Sequence, residues 1–413
     1  MKICADFRFH PVGHGLFYSG VINGPGMQSG PFTFVYDCGG RDSGNRFKCF
    51  WGQFKKRGLD VRLSMLVISH FHYDHISGIP RLIKLAKPRS IVLPYLYPKE
   101  KIAYVASLLA ESELEDATAD LETISKFILS PETFCRSYCE NYDCQIYYIN
   151  PRRKNAKEGR NRRALDMDSN ELYFPEAKLA VGRRGVFDVP NGSTGNIAGW
   201  QFRFFMPKKA SNCEAVTTWL AHNGIDANSI VSGKFDFNKL KNKFSSMNLR
   251  NNLSNLVCMH GPSAADVSWI GWSAGAGCSC NGGRGNLVKC FYPLSCEACG
   301  MECWRRCEAT IQVLTGDAEF GKAVPLEIKK IPRSKCFLFQ IPHHGSKNGW
   351  RDWFNELPSC KLRPVTHRWN CTYNGKPFMT DRENLIDACH ITESSMSALN
   401  VRMFVWDGAG DEL

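Results

Sequence analysis

The run "LSMLVI", Leu63 to Ile68, leads without a break into "SHFHYDHISG". A short run that is apolar at nearly every position reads as a strand covered on both faces, which requires a sheet packed between other layers. Residues that follow such a strand emerge at the carboxyl edge of the sheet, where α/β proteins commonly build their sites. There the chain sets His70, His72, Asp74 and His75 within six positions. Residues two apart in an extended segment point the same way, so His70 and His72 can converge on one ion while Asp74 and His75, in the following turn, address a second. Imidazole and carboxylate donors suit zinc, manganese or iron better than calcium or magnesium alone. Two alternatives stay open here: a chance grouping of core or surface histidines, and a role for one of the four in orienting the others.

The flanking segments supply the sheet this reading needs. "FRFHPVGHGLFYSG" and "PFTFVYDCGG" read as strands, "GIPRLIKLA" as a helix and "SIVLPYL" as a strand, a β-β-α-β succession. A helical zone follows from about Lys99 to Leu129, and residues 135–196 read as an irregular basic insertion. Strand pattern resumes at "GWQFRFFMP", and a polar, helix-compatible region runs to "NNLSNLVCM". With 43% hydrophobic and 22% charged residues among 413, the chain is too apolar for disorder and has no apolar run long enough to cross a bilayer. The start, "MKICADFRFHPVGHG", lacks the apolar stretch of an export signal, so a soluble, cytoplasmic protein with no membrane partner is expected. Its nineteen cysteines are then read as thiols or metal ligands before disulfides.

The net charge of +12 is locally concentrated. In "PRRKNAKEGRNRRAL", Arg152, Arg153, Lys154, Lys157, Arg160, Arg162 and Arg163 face one glutamate, with no apolar stripe. Such an exposed segment attracts a polyanion, and nucleic acid is the expected partner. The competing reading is ordinary solvated surface.

H-x-H-x-D-H after a hydrophobic strand resembles the signature of the metallo-β-lactamase superfamily, a four-layer αββα fold of hydrolases and some oxidoreductases. Other strings stand in that family's order: "FVYDCGG" with Asp37, "IQVLTGDAEF" with Asp317, and "FQIPHHGSKNGW" with His343 and His344. "PVGHG", "LTGDAE" and "PHHGS" are similar to strings of the nuclease domain of the competence protein ComEC. The resemblance covers both ends of the chain and not its middle. It implies a single α/β domain over 1–413, a four-layer αββα sandwich with inserted segments.

It also implies two divalent metals, Zn or Mn. His70 and His72 would hold the first, Asp74 and His75 the second, with Asp317 between them and one of His343 and His344 completing the second. Neighbours on a strand point oppositely, which favours His343 as the ligand and leaves His344, with Asp74, as a catalytic residue. Asp37 would orient a ligand by hydrogen bonding. Most members of the superfamily give the first metal a further histidine where this chain reads "NNLSNLVCMHG", and Ser254 is expected in its place. His260 is an alternative ligand, against a turn histidine, and His222 another, against a histidine at a helix C-terminus.

Residues 262–308 read as a Cys-rich hairpin insertion, since their removal would leave two strands joined by a tight turn. They hold Cys278, Cys280, Cys290, Cys296, Cys299, Cys303 and Cys307. Cys296 and Cys299 have zinc-knuckle spacing, and two more of these thiolates would close a structural zinc site; free thiols or a redox disulfide are the alternatives. The hairpin is also a candidate docking point for a protein partner.

Two bridged metals suit hydrolysis, because a hydroxide they activate attacks phosphorus in line while the pair stabilises the leaving oxygen. The expectation is a metal-dependent phosphodiesterase, a nuclease cleaving DNA or RNA, for which the resemblance implies a setting in bacterial antiphage defence. The alternatives are a hydrolase of a small phosphodiester, nucleotide signal or lactone, and a partner-dependent or non-catalytic scaffold subunit.

Overall fold

Alternation builds the first strand. In β1 (Ile3–Phe9), Ile3, Ala5, Phe7 and Phe9 are buried while Cys4, Asp6 and Arg8 are partly exposed, the period of two that a sheet face imposes. The computed structural model describes residues 3–25, 27, 30–40, 63–110, 118–138, 144–150, 171–172, 185–190, 194–197, 199–207, 218, 222, 255–263, 267–274, 305–307, 309–318, 320, 325–345, 363–366, 388–391 and 399–406.

After β1 come β2 (Phe17–Asn23), β3 (Phe32–Cys38), β4 (Met65–Val67), and the helices α1 (Tyr73–Ile76) and α2 (Ile79–Ala86). β5 (Ser90–Pro94) precedes α3 (Pro98–Ala110), α4 (Thr118–Leu129) and α5 (Pro131–Tyr138). Then follow β6 (Gln145–Asn150), β7 (Glu171–Leu172), β8 (Gly185–Pro190), β9 (Thr194–Ile197), β10 (Trp200–Phe205), β11 (Val257–Pro262), β12 (Val267–Ala274), β13 (Arg305–Cys307) and β14 (Ile311–Leu314). The one-turn helix α6 (Leu326–Lys329), β15 (Cys336–Phe339), β16 (Arg363–Thr366), β17 (Ala388–Ile391) and β18 (Leu399–Trp406) complete the succession.

Among the described residues, ten strands form one sheet in the order β13-β12-β18-β1-β2-β3-β4-β5-β6-β8. It is parallel from β3 to β8 and antiparallel from β13 to β3. Six strands form a second sheet, β15-β14-β11-β10-β9-β7, and β16 and β17 pair in parallel as a third ladder.

Three apolar clusters show how the layers stack. Ile79, Leu82 and Ile83 of α2, Ile102 and Val105 of α3 and Phe127 of α4 pack on Val35, Leu66 and Ile91 of the first sheet. The opposite face of that sheet, with Phe7, Phe34, Met65 and Val67, meets Trp200, Phe202, Leu256, Cys258 and Leu314 of the second. Beyond it, Val257, Met259 and Val313 pack against Ile328 and Ile331, at and just after α6. The order is helices, sheet, sheet, helix, an αββα sandwich of mixed α/β class. Each large apolar side chain closed between the sheets contributes about 1.5–3 kcal/mol.

Two expectations about insertions change. Residues 135–196 are not irregular throughout, because β6 and β8 run parallel to β5 as part of the first sheet. The β-branched and aromatic run Ile146–Ile149 in "QIYYIN" gives β6 its strand propensity, and its burial makes it part of the sheet interior rather than an appendage. In 262–308, β11 and β14 do pair antiparallel. The inserted chain between them, however, adds β12 and β13 to the other sheet, beside β18. Of its cysteines, Cys307 lies in β13 opposite Ser268; Cys278, Cys280, Cys290, Cys296, Cys299 and Cys303 lie outside the described residues, as do the cations of 151–165. No helix among the described residues is long and apolar enough to cross a membrane.

Candidate metal centre

Loops from both sheets meet at one edge of the sandwich. β3 carries Asp37 one residue before its end, β4 leads into Ser69 to His75, β14 into Asp317, and β15 into His343 and His344. These loops are stitched to one another by main-chain bonds: Leu256 N donates to Ser69 O at 2.8 Å, and His343 N to Gly316 O at 3.2 Å. Gln340 Oε1 accepts from Thr315 N and Gly316 N at 2.9 and 3.2 Å, fixing the Asp317 loop to the strand that leads to His344. Gly316, at φ 55°, lets that loop press on Ser69, where a Cβ would come within 2.6 Å of the serine side chain.

Asp37 organises the histidines. Its Oδ1 accepts from Ser69 N at 2.7 Å, and its Oδ2 accepts from Ser69 Oγ at 2.5 Å and from His75 Nδ1 at 2.8 Å. Since Ser69 Oγ gives its proton to Asp37, it accepts from His70 Nδ1 at 2.9 Å. Both rings therefore carry hydrogen on Nδ1 and turn Nε2 toward the site, the tautomer a metal-binding histidine needs.

The Nε2 and carboxylate oxygens then crowd together. His75 Nε2 is 3.2 Å from Asp317 Oδ1 and 3.3 Å from His344 Nε2. His344 Nε2 is 3.3 Å from Asp74 Oδ2, and His70 Nε2 is 3.6 Å from Asp317 Oδ2. His70, His72 and Asp317 form one group whose donor atoms lie within 4.8 Å of one another, and His75, Asp317 and His344 form another. Donors around a tetrahedral ion with bonds of about 2.0–2.1 Å stand roughly 3.3 Å apart. His70 Nε2 and Asp317 Oδ1 are buried and make no hydrogen bond. Buried donor atoms left without a hydrogen bond, one in each of the two groups, are what divalent cations would relieve, so these residues fit them.

The electrostatics agree. Burial pushes His75 and His344 down, but Asp317 and Asp74, joined at His75 by the hydrogen bond to Asp37, outweigh it, leaving His75 well above and His344 above the ordinary imidazole value. Burial pushes Asp317 up, and the charges of His75, His344 and His343 hold it well below the carboxylate range instead. Protons on His75 and His344 balance charge that a cation would otherwise balance. His70, by contrast, is driven well below the ordinary value by burial and by His75 and His72, which keeps it neutral and able to ligate.

His70, His72, Asp74, His75 and Asp317 are brought together as the sequence suggested, with Asp37 bonded to His75 behind them. His343 and His344 exchange places relative to the expectation. Strand alternation does not apply, because both have positive φ, 50° and 51°, in a 3-10 turn over His343–Gly345. That turn sends His344 into the cluster, while His343 is 27% exposed with Nδ1 3.9 Å from Asp317 Oδ2. Ser254 lies outside the described residues, but its neighbour Asn255 was overlooked: Nδ2 donates to Asp317 O at 3.1 Å and Oδ1 accepts from Asp317 N at 3.3 Å, clamping the shared aspartate's main chain. His260 belongs to no candidate ligand group among the described residues and is not a turn residue; it sits in β11, buried between the sheets. His222 is exposed.

A family model described as the Metallo-beta-lactamase superfamily matches residues 27–117, which hold β3 to α3 and the H-x-H-x-D-H segment. The match supports that superfamily. Solved structures similar to the chain include an archaeal metallo-beta-lactamase superfamily protein from Sulfolobus tokodaii, at 15% identity over 48% of this chain and 54% of that one, TM-score 0.19. A subclass B3 metallo-beta-lactamase from a soil metagenome library aligns at 8% identity over 87% and 79%, TM-score 0.28. The long form of RNase Z from yeast aligns at 8% identity over 88% of this chain and 36% of that one, TM-score 0.32. The chain thus spans about half the length of the archaeal structure, 54%. No curated protein matches the sequence.

Proposed function

We propose that the chain is a metal-dependent phosphodiesterase, and specifically a nuclease. The observation that carries the hydrolase reading is Asp317, whose two carboxylate oxygens face separate histidine groups: Oδ2 faces His70, and Oδ1 faces His75 and His344. A carboxylate so placed suits two ions side by side, with His70 and His72 on one flank and Asp74, His75 and His344 on the other. Bound there, two divalent cations supply a nucleophile at neutral pH and stabilisation of both the attacking and leaving oxygens. The chain's own part is to hold the donors rigid through Asp37, Ser69 and Asn255. His343, partly exposed at the rim, would meet a substrate phosphate.

Nucleic acid as the substrate is supported by the net charge of +12 and by the cations of 151–165, which gather a polyanion whatever its sequence. The resemblance to competence-type nucleases adds a setting in the bacterial cytoplasm, in antiphage defence, where a partner protein would restrain the activity. The test is metal analysis joined to hydrolysis assays on single- and double-stranded DNA and RNA, with manganese, magnesium and zinc restored separately to stripped protein. Cleavage of a polynucleotide with at least one of these ions is expected. Bound metal with turnover of only small phosphodiesters or lactones would overturn the nuclease reading and keep the hydrolase one.

A further inference from the structure

The turn between β1 and β2 sets a further histidine against the site. His14 Nε2 lies 3.2 Å from Asp74 Oδ2, and its ring centroid is 4.3 Å from that of His344. His14, Asp74 and His344 form a group whose donor atoms all lie within 4.8 Å of one another. The backbone enforces this approach. Leu16 N donates to Asp74 O at 3.2 Å, and Gly39 N donates to Leu16 O at 3.0 Å. At Gly15, φ 151°, a Cβ would stand 2.5 Å from Asp74 O and 2.6 Å from Gly39 O, so only glycine allows the turn to lie directly on the start of α1.

His344 Nε2 belongs both to this group and to the one with His75 and Asp317. An imidazole nitrogen has a single lone pair and binds a single ion, so the two groups outline one position, not two. The 3.2 Å from His14 to Asp74 and the 3.3 Å from His344 to the same oxygen match neighbouring donors on an ion with bonds of about 2.0–2.1 Å. We propose that His14 is a ligand of the second metal position, delivered by the β1–β2 turn. This rests on the two-metal reading above. It makes the pair unequal: the first position draws on His70, His72 and Asp317, whereas the second adds His14 to Asp74, His75, Asp317 and His344. An ion at the first position would have fewer protein ligands, and one at the second would be held the more firmly.

Cobalt(II) separates these claims, because its d–d absorption reports the ligand set independently of turnover. Wild-type protein, His14→Ala and His14→Gln are stripped, checked by circular dichroism for an unchanged fold, and titrated. The wild type should take up two ions. Both variants should keep one ion at wild-type affinity, bind the other at least roughly tenfold more weakly, and show altered d–d bands for it. Should the alanine variant not fold, His14→Gln carries the test. Equal affinity and bands for the second ion in a folded variant overturn the proposal. Weaker binding with unchanged bands also overturns it, since His14 would then only hydrogen-bond Asp74. A wild type that takes up no pair of ions removes the two-metal reading, and the proposal with it.

Discussion

Buried histidines sit in this molecule under two opposite electrostatic conditions. At the sandwich edge, His75 and His344 face Asp37, Asp74 and Asp317, and the carboxylates overcome burial to hold both imidazoles above their ordinary value. Between the sheets, His260 is 2% exposed and ringed by Phe7, Phe34, Trp200 and Phe202. Its polar contact is Tyr18 Oη, 3.1 Å from Nε2, and that hydroxyl donates to Gln312 Oε1 at 2.9 Å. No carboxylate is among these partners, and burial pushes His260 down to about 3. Burial alone silences a histidine; burial beside carboxylates makes a site for a cation. The same residue type is thus structural in one place and chemical in the other.

The largest effect should come from removing the carboxylate the two ions share. Asp317→Asn turns the edge site toward the neutral kind found at His260, and is expected to abolish uptake of both ions and lower hydrolysis by more than about 1,000-fold, beyond the loss of one transition-state hydrogen bond. Metal analysis of the folded variant checks this. Two retained ions would break the comparison at its centre.

Proton linkage sharpens it next. His75 and His344 must shed protons that the carboxylates hold on them above the usual imidazole range, so metal affinity should fall as pH falls through their raised pKa values. If both protons leave with one ion, the slope approaches about two log units per pH unit. Calorimetry in buffers of different ionisation enthalpy measures the release directly, and metal binding with no proton released would contradict the charge balance described for the edge site.

His260 should show the reverse linkage and the smallest effect. Its pKa is depressed on folding, so its contribution is fully present above the unfolded value near 6.5 and is lost as pH falls toward about 3. Between pH 7 and 5 the wild type should lose about 2 kcal/mol more stability than His260→Gln, read from denaturant midpoints. Parallel pH profiles for the two proteins would show that His260 is not held neutral by the core.

The edge site was legible where its chemistry is local. "HFHYDH" carries its own carboxylate and follows a buried strand, so spacing and sheet geometry together announce it. Asp317 and Asp37 lie far away in sequence and entered through resemblance, not periodicity. Strand alternation carries no information at His343 and His344, because their positive φ places them outside a strand. His14 stands within "PVGHG", but nothing local shows that Gly15 lets this turn lie on Asp74. Asn255 acts through its amide on main chain from another strand, which leaves no pattern in sequence. His260 was read from the glycine and proline beside it, whereas the pairing of β11 with Phe202 and Gln312 decides its place in the core.

β18 lies between β12 and β1, with Ile3 opposite Val405 and Val267 opposite Trp406. On the ribosome, β1 emerges long before β18, its partner. Until residues 399–406 arrive, β1 and β12 present unpaired edges that invite pairing with other nascent chains. Contacts so distant in sequence also close slowly. A larger supply of folding helpers during synthesis should therefore raise the yield of native protein.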